Sequence, residues 1–530
     1  MTAAAAPATP VQGNSNALLI TAAVMLATIM QALDTTIANV ALPHMQGNMG
    51  ATQDQISWVL TSYIVAAAIC TPLSGFLSAR WGRKRLFLIS VIGFTIASML
   101  CGAAQSLPQI VIFRLLQGVF GASLVPLSQA VLLDSYPREK HGSAMALWGV
   151  GVMVGPILGP TLGGWLTEYY NWRWVFYINL PFGILAWAGI QAFVQETPVD
   201  AKRKFDVFGF AFLSLGIGAL QMMLDRGESK DWFASMEVCI EALTAMICLY
   251  VFLAHIFTAK NAFIEPAIFK DRNFSIGLLF IFIIGIILFS TMALLPPYLQ
   301  NLKNYPVIDV GLLLAPRGIG TLFAMFAVGR LSGKIDARLM ISFGLTLTSL
   351  SMWMMTGFTL EMSGRDIVIS GVIQGFGLGF IWVPLSTLTF STLAPRFRNE
   401  GTALFSLLRN IGSSIGISLV IGYLAQRTQI NHAVLSEHIS PYRTAIEMAV
   451  GKGQMDLTSQ AGFAMANGRV SIAAADLAYL QDFRLMMWVT LAAFPLLLLL
   501  KAPPKKPPAA KSEKKDEREK EDHELSAVFE

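Results

Sequence analysis

The chain has 530 residues, of which 54% are hydrophobic and only 13% are charged. Soluble domains carry about 25% charged residues, so this composition excludes an ordinary soluble protein. Long apolar runs recur from end to end and indicate a polytopic membrane protein surrounded by lipid. The net charge of +5 says little by itself, and we expect no nucleic-acid partner. The four cysteines lie apart in apolar runs without metal-ligand spacing, so we expect no metal site and no bound cofactor.

The apolar runs predict an all-α membrane protein with fourteen transmembrane helices, since about twenty apolar residues cross a bilayer as a helix. The predicted spans are 17–43, 54–79, 86–104, 109–133, 142–167, 174–193, 206–225, 234–257, 274–300, 308–330, 339–360, 366–393, 400–425 and 483–500. The first run is interpreted as a retained span, because residues 1–16 contain no Lys or Arg and the run is longer than the core of a secretory signal.

Lys and Arg in the short loops orient these spans, because cytoplasmic loops carry an excess of them. With a cytoplasmic N-terminus at 1–16, the short inner loops hold seventeen Lys and Arg residues and the short outer loops hold five. The even number of spans then places both termini in the cytoplasm. The Pro- and charge-rich tail 501–530 is typical of a disordered segment, and 426–482 forms a long outer region before the last span.

The sequence repeats itself at a nearly constant offset. The segment LLQGVFGASLVPLS at 115–128 resembles VIQGFGLGFIWVPLS at 372–386, and their QG pairs are 257 residues apart. Both copies have the same orientation, as in transporters built from parallel repeats. The repeat predicts two six-helix bundles, 17–193 and 274–500, with two inserted helices at 205–257 and a cavity between the bundles.

One carboxylate, Asp34, lies inside the first apolar run, in LDTTIANVALP at 33–43. A lone charge in a bilayer costs about 3 kcal/mol or more, so such a residue has a function or a buried partner. Gln31 shares its helical face and Asn39 lies close by, which predicts a polar stripe along the cavity. The spacing alone allows either a titrating group or the structural partner of an arginine.

The fourth run contains RLLQG, with Arg114 a few residues inside the outer edge of the membrane. Arg114, Gln117 and Gly118 share one helical face by their i, i+3 and i+4 spacing. A guanidinium at this depth requires a carboxylate, carbonyl or water partner, unless it snorkels to the outer interface. Whether Arg114 faces Asp34 stays open at this point.

The short loop after the second span reads GFLSARWGRKRLF at 75–87. Gly75 and Gly82 suit a tight turn between helices, and Arg80 and Arg83 suit a cytoplasmic face. The related segment GRLSGKIDARL at 329–339 occupies the corresponding place in the second half. This repetition favours a gating role over a loop that is merely basic.

Glycines recur at every fourth position of the fifth run, at Gly151, Gly155, Gly159 and Gly163. Such a ridge of small residues allows another helix to approach closely. Pro156, within the ridge, predicts a kink. The ridge is a packing surface by nature, and in a transporter a close, kinked contact is also a place for a hinge.

These motifs together resemble the major facilitator superfamily over nearly the whole chain. The loop at 75–85 is similar to the superfamily signature G-x-L-a-D-R-x-G-R-K, RLLQG to its fourth-span motif, and GPILGPTLGG at 155–164 to its antiporter motif. LDTTIANVALP and NWRWVFYINLPFG at 171–183 are similar to segments of the fourteen-span drug:proton antiporter family, and the long outer region is similar to that of its EmrB-type subgroup.

Two positions depart from the superfamily signature. Ala79 stands where the signature has an aspartate, and Gly333 stands there in the repeat. The charge contact that normally closes the inner gate is therefore missing at this position. Asp134 and Asp336 are the candidates to replace it.

The resemblance implies a transporter in the bacterial inner membrane that exports amphipathic or lipophilic drugs by alternating access. The proton-motive force would drive it, with Asp34 and Arg114 in proton coupling. It also implies an EmrA-type periplasmic adaptor and an outer-membrane channel, for which 426–482 is the docking candidate. Export of one metabolite, a fatty acid or a siderophore, is the alternative, and an envelope-assembly scaffold is another. No enzyme motif of the HExxH, paired-aspartate or phosphate-loop type occurs in the sequence.

We expect residues of both bundles to line the substrate cavity, because aromatic and Met side chains provide adaptable apolar surface. Each of these residues is equally suited to packing between helices, and the two arginines among them would favour anionic compounds. The candidates are Gln31, Asn39, Gln117, Trp148, Met153, Arg317, Gln374, Phe376, Trp382, Arg409 and Asn410.

Overall fold

A computed structural model of the chain describes residues 17–137, 140–200, 204–259, 262–439 and 459–501. Over these ranges the protein consists of α-helices joined by turns and short 3₁₀ or π segments. The predicted cytoplasmic segment 1–16 and residues 502–530 of the predicted tail lie outside the described residues.

The first half of the chain contains α1 Ala17–Met49, α2 Gln53–Trp81, α3 Arg83–Ala103, α4 Leu107–Gly121, α5 Leu124–Ser135, α6 His141–Tyr169, α7 Trp174–Tyr177 and α8 Asn179–Phe193. The inserted helices are α9 Val207–Arg226 and α10 Met236–Thr258. The second half contains α11 Arg272–Pro297, α12 Val307–Leu331, α13 Ala337–Met355, α14 Gly364–Ser391, α15 Arg398–Ser436, α16 Gln460–Ala492 and α17 Leu496–Leu499.

Thirteen helical segments of the described ranges are long and apolar enough to cross a membrane. One of them, Leu107–Ser135, combines α4 and α5 across a break at 122–123. α13, with 19 residues, lies where the span 339–360 is predicted but falls outside this set. The all-helical membrane fold is thus confirmed, and the helices are consistent with the predicted number of spans.

Side-chain caps and one glycine fix where several helices begin and end. Thr52 Oγ1 accepts from the Gln55 backbone N–H and the Gln55 side chain accepts from the Thr52 N–H, a capping box that starts α2. Asp271 and Asp336 cap α11 and α13 in the same sense. Gly82, between α2 and α3, has a φ of 91°, which a residue with a Cβ rarely adopts.

The helices run alternately between two faces of the protein. We call one the basic face, because it carries the turns at 80–85, 330–338 and 396–398 with their Lys and Arg residues. The opposite face carries the α1–α2, α3–α4 and α15–α16 connections, and we call it the hairpin face.

The two halves pack as equivalent bundles. In the first bundle α1 packs on α6 and α2 on α4, and in the second α11 packs on α15 and α12 on α14. Between the bundles α6 packs on α12, and α2 packs on α15. The second span of each half therefore contacts the fifth span of the other half. This arrangement is expected of parallel repeats related by a two-fold axis between the bundles.

The inserted helices lie at one flank of the bundle interface. α9 packs on α10 and α2, and less extensively on α15. Thr61 of α2 donates to the Asp225 carboxylate of α9, and Ser414 Oγ of α15 donates to Gln221 Oε1 of α9 at 2.9 Å. The inserted pair is therefore hydrogen-bonded to both bundles.

Where it is described, the outer region 426–482 continues the helices of the second bundle. α15 extends to Ser436, α16 begins at Gln460, and the two pack side by side. Asn431 Nδ2 donates to the Ala474 carbonyl at 3.2 Å, which fixes their register. With 39 residues α15 is about 58 Å long, so it exceeds the ~30 Å of bilayer hydrocarbon. Residues 440–458 of this region lie outside the described residues.

Candidate functional site

Asp34 lies in the middle of α1 and is fully buried. Its Oδ2 accepts a hydrogen bond from Arg114 Nη1 at 2.7 Å. Its Oδ1 accepts from Gln117 Nε2 at 2.7 Å and from Asn179 Nδ2 at 2.9 Å. Three donors, one of them cationic, converge on the carboxylate, and this is the environment of an ionised group.

Arg114 of α4 is fully buried as well and turns toward the interior of the first bundle. Its Nε donates to the Val59 carbonyl at 3.2 Å. Its guanidinium lies 4.7 Å from the ring centroid of Tyr63 and 5.3 Å from that of Phe176, both within cation–π range. The arginine therefore pairs with Asp34 and does not snorkel to the interface.

The charges of Asp34 and Arg114 depend on one another because neither reaches water in this conformation. Removing one partner of a buried ion pair costs about 3–5 kcal/mol, since the other charge is left uncompensated. Any step that neutralises Asp34 therefore destabilises this arrangement of α1 and α4.

The sequence reasoning missed Asn179, which begins α8 and joins Asp34 to α3. Its Nδ2 also lies 2.9 Å from Ser98 Oγ, and Ser98 Oγ donates to the Phe176 carbonyl at 2.9 Å. Asn179 belongs to NWRWVFYINLPFG, a segment that carries the family resemblance without a role for any single residue. Nothing in the spacing relates it to Asp34, which is 145 residues away.

The glycine ridge of α6 packs against α1 around Asp34. A Cβ at Gly155 would lie 2.3 Å from the carbonyl of Ala32, and a Cβ at Gly159 would lie 2.0 Å from Thr36 Oγ1. Thr36 Oγ1 donates to the Gly155 carbonyl at 2.9 Å across the same contact. Larger residues at these glycines would push α6 away from the helix that carries Asp34.

The ridge extends in both directions along α6. Gly151 faces Met25, and Gly163 faces Ile37 of the same helix α1. The helix continues through Pro156, whose side chain lies outside the described part of the chain. In the neighbouring contact of α4 with α2, a Cβ at Gly118 would lie 2.5 Å from the Tyr63 carbonyl.

Asp134, at the end of α5, joins the two bundles on the basic face. Its Oδ2 accepts from Arg83 Nη1 at 2.5 Å, and its Oδ1 accepts from Arg398 Nη1 of α15. Arg83 Nε and Nη2 also donate to Asn399 Oδ1 of α15, at 3.0 and 2.7 Å. We call these four residues the basic-face clamp.

The clamp shows which residue carries the charge that Ala79 lacks. Of the two candidates, Asp134 makes the contact between bundles, whereas Asp336 accepts from the Arg338 backbone N–H and caps α13. Gly75 lies beside the clamp, where its Cβ would be 3.1 Å from the Glu400 Cα, so α2 and α15 approach closely there. Of the other predicted gate residues, Gly82 forms the α2–α3 turn and Arg80 is exposed.

An aromatic stack connects the bundles near their centre. Trp148 of α6 and Trp382 of α14 lie parallel, with ring centroids 6.2 Å apart and an interplanar angle of 20°. Trp148 Nε1 donates to Ser128 Oγ at 2.8 Å, and the guanidinium of Arg409 lies 5.8 Å from the Trp382 ring centroid. Three of the predicted cavity residues therefore lie together at the interface.

Two arginines of the second bundle have no carboxylate partner among the described residues. Arg317 Nη2 donates to Thr291 Oγ1 at 3.2 Å, and Arg409 Nε donates to Asn410 Oδ1 at 3.2 Å. Thr291 lies 257 residues after Asp34, which is the offset of the internal repeat. The second bundle thus keeps cations in its interior where the first has an ion pair.

Three other residues predicted to line the cavity, two on α1 and one on α6, lie outside the Trp148–Trp382 stack and differ in burial. Gln31 is half-buried beside the site, where its Nε2 donates to Tyr63 Oη at 3.3 Å. Asn39 is exposed and donates only within its own helix, to the Thr35 carbonyl. Met153 is buried in the apolar core.

The two other α14 residues predicted to line the cavity, Gln374 and Phe376, have different surroundings. Gln374 is fully buried and its Nε2 lies 3.8 Å from Met352 Sδ of α13, so it faces the interior of the second bundle. Phe376 is half-buried and packs on Phe380, with ring centroids 5.2 Å apart. Neither joins the Trp148–Trp382 stack directly.

Comparisons with known proteins agree with this architecture. The sequence profile of the Major Facilitator Superfamily matches residues 24–417. The multidrug export protein EmrB of Haemophilus influenzae is 37% identical over 438 residues, covering 82% of this chain and 85% of the relative. EmrB of Escherichia coli K12 is 38% identical over 437 residues, with 82% and 85% covered. The fatty acid resistance protein FarB of Neisseria gonorrhoeae is 37% identical over 454 residues, with 85% and 90% covered.

Among solved structures, the human organic anion transporter MFSD10 (TETRAN) superposes with a TM-score of 0.57. The alignment covers 91% of this chain and 99% of that chain, at 14% sequence identity, and shows the likeness of the fold alone. The sequence relatives cover most of the chain, so the resemblance noted in its motifs is confirmed. The chain is a multi-pass membrane protein that belongs to the Major Facilitator Superfamily and, within it, to the multidrug efflux transporters related to EmrB.

Proposed function

We propose that the protein is a proton-coupled antiporter that exports amphipathic compounds, with Asp34 as the residue that binds the proton. The observation that carries the proposal is the convergence of Arg114, Gln117 and Asn179 on a fully buried carboxylate. The protein requires no cofactor in this scheme, because the proton gradient supplies the free energy. The basic face is taken as cytoplasmic, in accord with the excess of Lys and Arg in its loops.

Proton binding at Asp34 weakens the observed interactions of its carboxylate. A neutral carboxyl group keeps acceptor capacity but loses its negative charge, so the charge-assisted bond from Arg114 weakens and the arginine is left without a counter-charge. Oδ1 already accepts from both Gln117 and Asn179, so a proton on Oδ1 would displace one of these donors, whereas Oδ2 accepts from Arg114 alone. Protonation therefore separates the pair, and α1 and α4 shift relative to each other.

This local change has a route to the bundle interface. α1 packs directly on the glycine ridge of α6, and α6 packs on α12 of the second bundle. On the cytoplasmic side the clamp of Arg83, Asp134 and Arg398 holds the bundles together. The conformation is thus closed at the clamp with Asp34 ionised, and protonation of Asp34 favours another arrangement of the bundles.

The proposal is tested by reconstitution in liposomes with an imposed pH gradient. Wild type should couple drug movement to counter-movement of protons, and Asp34→Asn should lose this coupling because an amide does not titrate. Asp336→Asn is the matched control, since it alters a carboxylate that only caps α13, outside the proposed proton site and the clamp. Drug-driven proton movement that survives Asp34→Asn unchanged would exclude Asp34 as the coupling residue.

A second candidate is export of one metabolite that carries a carboxylate, such as a long-chain fatty acid. Arg317 and Arg409 support it, because they place two cations in the second bundle without a carboxylate partner in the described ranges. The name of the relative FarB, a fatty acid resistance protein, agrees with it. Competition of a fatty acid against a lipophilic cation for transport decides between the two. Arg409→Gln should lower fatty acid transport and leave cation transport intact if the second candidate is correct.

The α15–α16 hairpin supports a further part of the proposal, assembly with a periplasmic adaptor and an outer-membrane channel. Both helices project beyond the bundle on the hairpin face, with apolar side chains such as Val434 and Phe463 exposed. Deleting the projecting part should abolish drug resistance of cells but preserve drug transport in liposomes. Intact resistance after this deletion would argue against the docking role.

A further inference from the structure

The second bundle contains a buried carboxylate that the proposed mechanism does not use. Asp482 of α16 is fully buried, and neither of its carboxylate oxygens has a hydrogen-bond partner in the described part of the chain. Its neighbours one helical turn away, Ala478, Tyr479 and Met486, and the adjacent Phe483 are buried too. The contrast with Asp34, which has three donors, is complete.

An ionised carboxylate without a partner is not stable in such an environment. Buried charges in proteins are paired or hydrogen-bonded, and a group that is neither becomes neutral by binding a proton. We propose that Asp482 is a second proton-binding site, protonated while the second bundle is closed around it and ionised when α16 is hydrated. The proposal extends the proton-coupled transport proposed above, and its ligand is the proton itself.

The elements packed against α16 offer few charges to compensate an ionised Asp482. α16 packs on α15, α13, α11 and the π-helical turn after α11. α13 has one titratable side chain, Arg338, which lies at its basic-face end, far from the hairpin face. The remaining candidates are Tyr423, Arg427 and His432 on α15, Tyr298 and Lys303 at the end of α11, and Asp476, Tyr479 and Arg484 on α16 itself.

Most of the remaining candidates are engaged elsewhere or exposed, and only the Arg427 Nε among them is buried without a hydrogen-bond partner in the described ranges. The Arg427 guanidinium stacks on Tyr423, 4.9 Å from the ring centroid, and His432 Nε2 lies 2.9 Å from Asn467 Oδ1. Lys303 Nζ donates to the Met362 carbonyl at 2.6 Å. Arg484 is exposed on the far side of the helix. None of them is hydrogen-bonded to Asp482.

A column of polar groups leads from the hairpin face to Asp482. Asp476 is half-buried, and its Oδ1 accepts from Tyr298 Oη at 3.0 Å. The Tyr298 ring packs against Tyr479, with centroids 5.1 Å apart, and Tyr479 lies one turn from Asp482 on the same helix. The two aspartates are six positions apart, about 9 Å along α16. Asp476 is thus the carboxylate next to Asp482 on the hairpin-face side of α16, and the Tyr298 and Tyr479 side chains lie between the two levels.

The linkage has a definite sign. The closed second bundle holds one more proton than the hydrated one, so acidification of the hairpin face stabilises the closed conformation. Raising the pH favours ionisation of Asp482 and hydration of α16. With Asp34 ionised in the same conformation, the two aspartates are in opposite protonation states, as required of two sites loaded at different steps of one cycle.

Infrared difference spectroscopy of the purified full-length protein tests the site without a transport assay. Wild type at neutral pH should show the carbonyl stretch of a protonated carboxyl group. Asp482→Asn should lose this signal, Asp482→Glu should keep it at a shifted frequency, and Asp336→Asn, the same change at the cap of α13, should keep it unchanged. Asp482→Asn should remain folded because a neutral amide replaces a neutral carboxyl group of similar size. A signal unaffected by Asp482→Asn would overturn the proposal.

A transport measurement separates this proposal from the one for Asp34. In liposomes Asp482→Asn should lower the number of protons exchanged per drug molecule by about one, while Asp34→Asn abolishes coupling. An unchanged proton count in Asp482→Asn would contradict a role in the cycle. If wild type moves no protons with drug but the infrared signal depends on Asp482, the coupled-transport proposal fails and the proton site stands.

Discussion

Asn179 Nδ2 lies 2.9 Å from Asp34 Oδ1 and 2.9 Å from Ser98 Oγ, so one amide connects α8, α1 and α3 inside the first bundle. Arg114 provides the counter-charge of the Asp34 carboxylate, whereas Asn179 fixes the position of this carboxylate by a hydrogen bond. The site is thus held from two sides, by α4 on one and by α8 on the other.

Asn179→Ala should destabilise the protein by about 1–3 kcal/mol, because Asp34 and Ser98 each lose a buried hydrogen-bond partner. Thermal or denaturant unfolding in detergent measures the change. Asn39→Ala is the matched control on α1. Asn39 is exposed and bonds only within its own helix, so its loss should change stability by less than about 0.5 kcal/mol. Equal effects of the two substitutions would contradict the bridging role of Asn179.

Asp34→Asn should destabilise the protein by about 3–5 kcal/mol, since it leaves the Arg114 charge buried without a counter-charge. Adding Arg114→Gln to Asp34→Asn should recover much of this loss, because the second substitution removes the uncompensated charge. A double-mutant cycle on unfolding free energies measures the coupling. Additive effects in this cycle would show that the two residues do not act as a pair.

Gly159→Ala should destabilise the protein by about 1–3 kcal/mol, because its Cβ would lie 2.0 Å from Thr36 Oγ1 and force α6 away from α1. Gly164→Ala, in the same helix, is the control. The nearest atom to a Cβ at Gly164 is 4.0 Å away, so this change should be neutral or stabilising by up to about 1 kcal/mol through helix propensity. Unfolding and drug transport are measured on both variants, and a neutral Gly159→Ala would exclude close packing at the ridge.

Asp134→Asn should open the basic face, because Arg83 and Arg398 then lose the carboxylate they share. Spin labels on cysteines introduced at the exposed positions Lys140 and Arg396, one in each bundle, report the separation of the bundles in a variant without its native cysteines. The distance distribution should shift to longer values in Asp134→Asn. Asp336→Asn, which removes only the cap of α13, should leave it unchanged. An unaltered distribution in Asp134→Asn would show that the clamp does not hold the bundles.

The sequence predicted the features that depend on local pattern. Apolar runs predicted the helices, and the repeat at 257 residues predicted the paired bundles, because both are properties of neighbouring or regularly spaced residues. The same local logic identified Asp34 and Arg114 as costly residues in a bilayer. It did not decide whether they face each other, since that depends on how α1 packs against α4.

What escaped sequence reasoning depends on tertiary packing. Asn179 acts on Asp34 from a separate helix, and an asparagine in an apolar run has no signature of its own. Asp482 lies one residue before the predicted span 483–500, so the apolar pattern placed it at an interface. The structure buries it because α16 continues as one helix from Gln460 to Ala492 and packs against α15 along this part. Asp482 is buried by neighbouring helices, and a window along the sequence does not contain this information.

The continuity of α15 gives the protein a mechanical property. One continuous helix of 39 residues begins with Arg398 at the clamp and ends at Ser436 in the hairpin, so a rigid-body tilt of this helix moves both ends together. A tilt of α15 that separates Arg398 from Asp134 on one side of the membrane would also displace the hairpin on the other side. A protein bound to the hairpin would be displaced in each transport cycle. Its binding would in turn change the equilibrium between the closed and open states of the basic-face clamp.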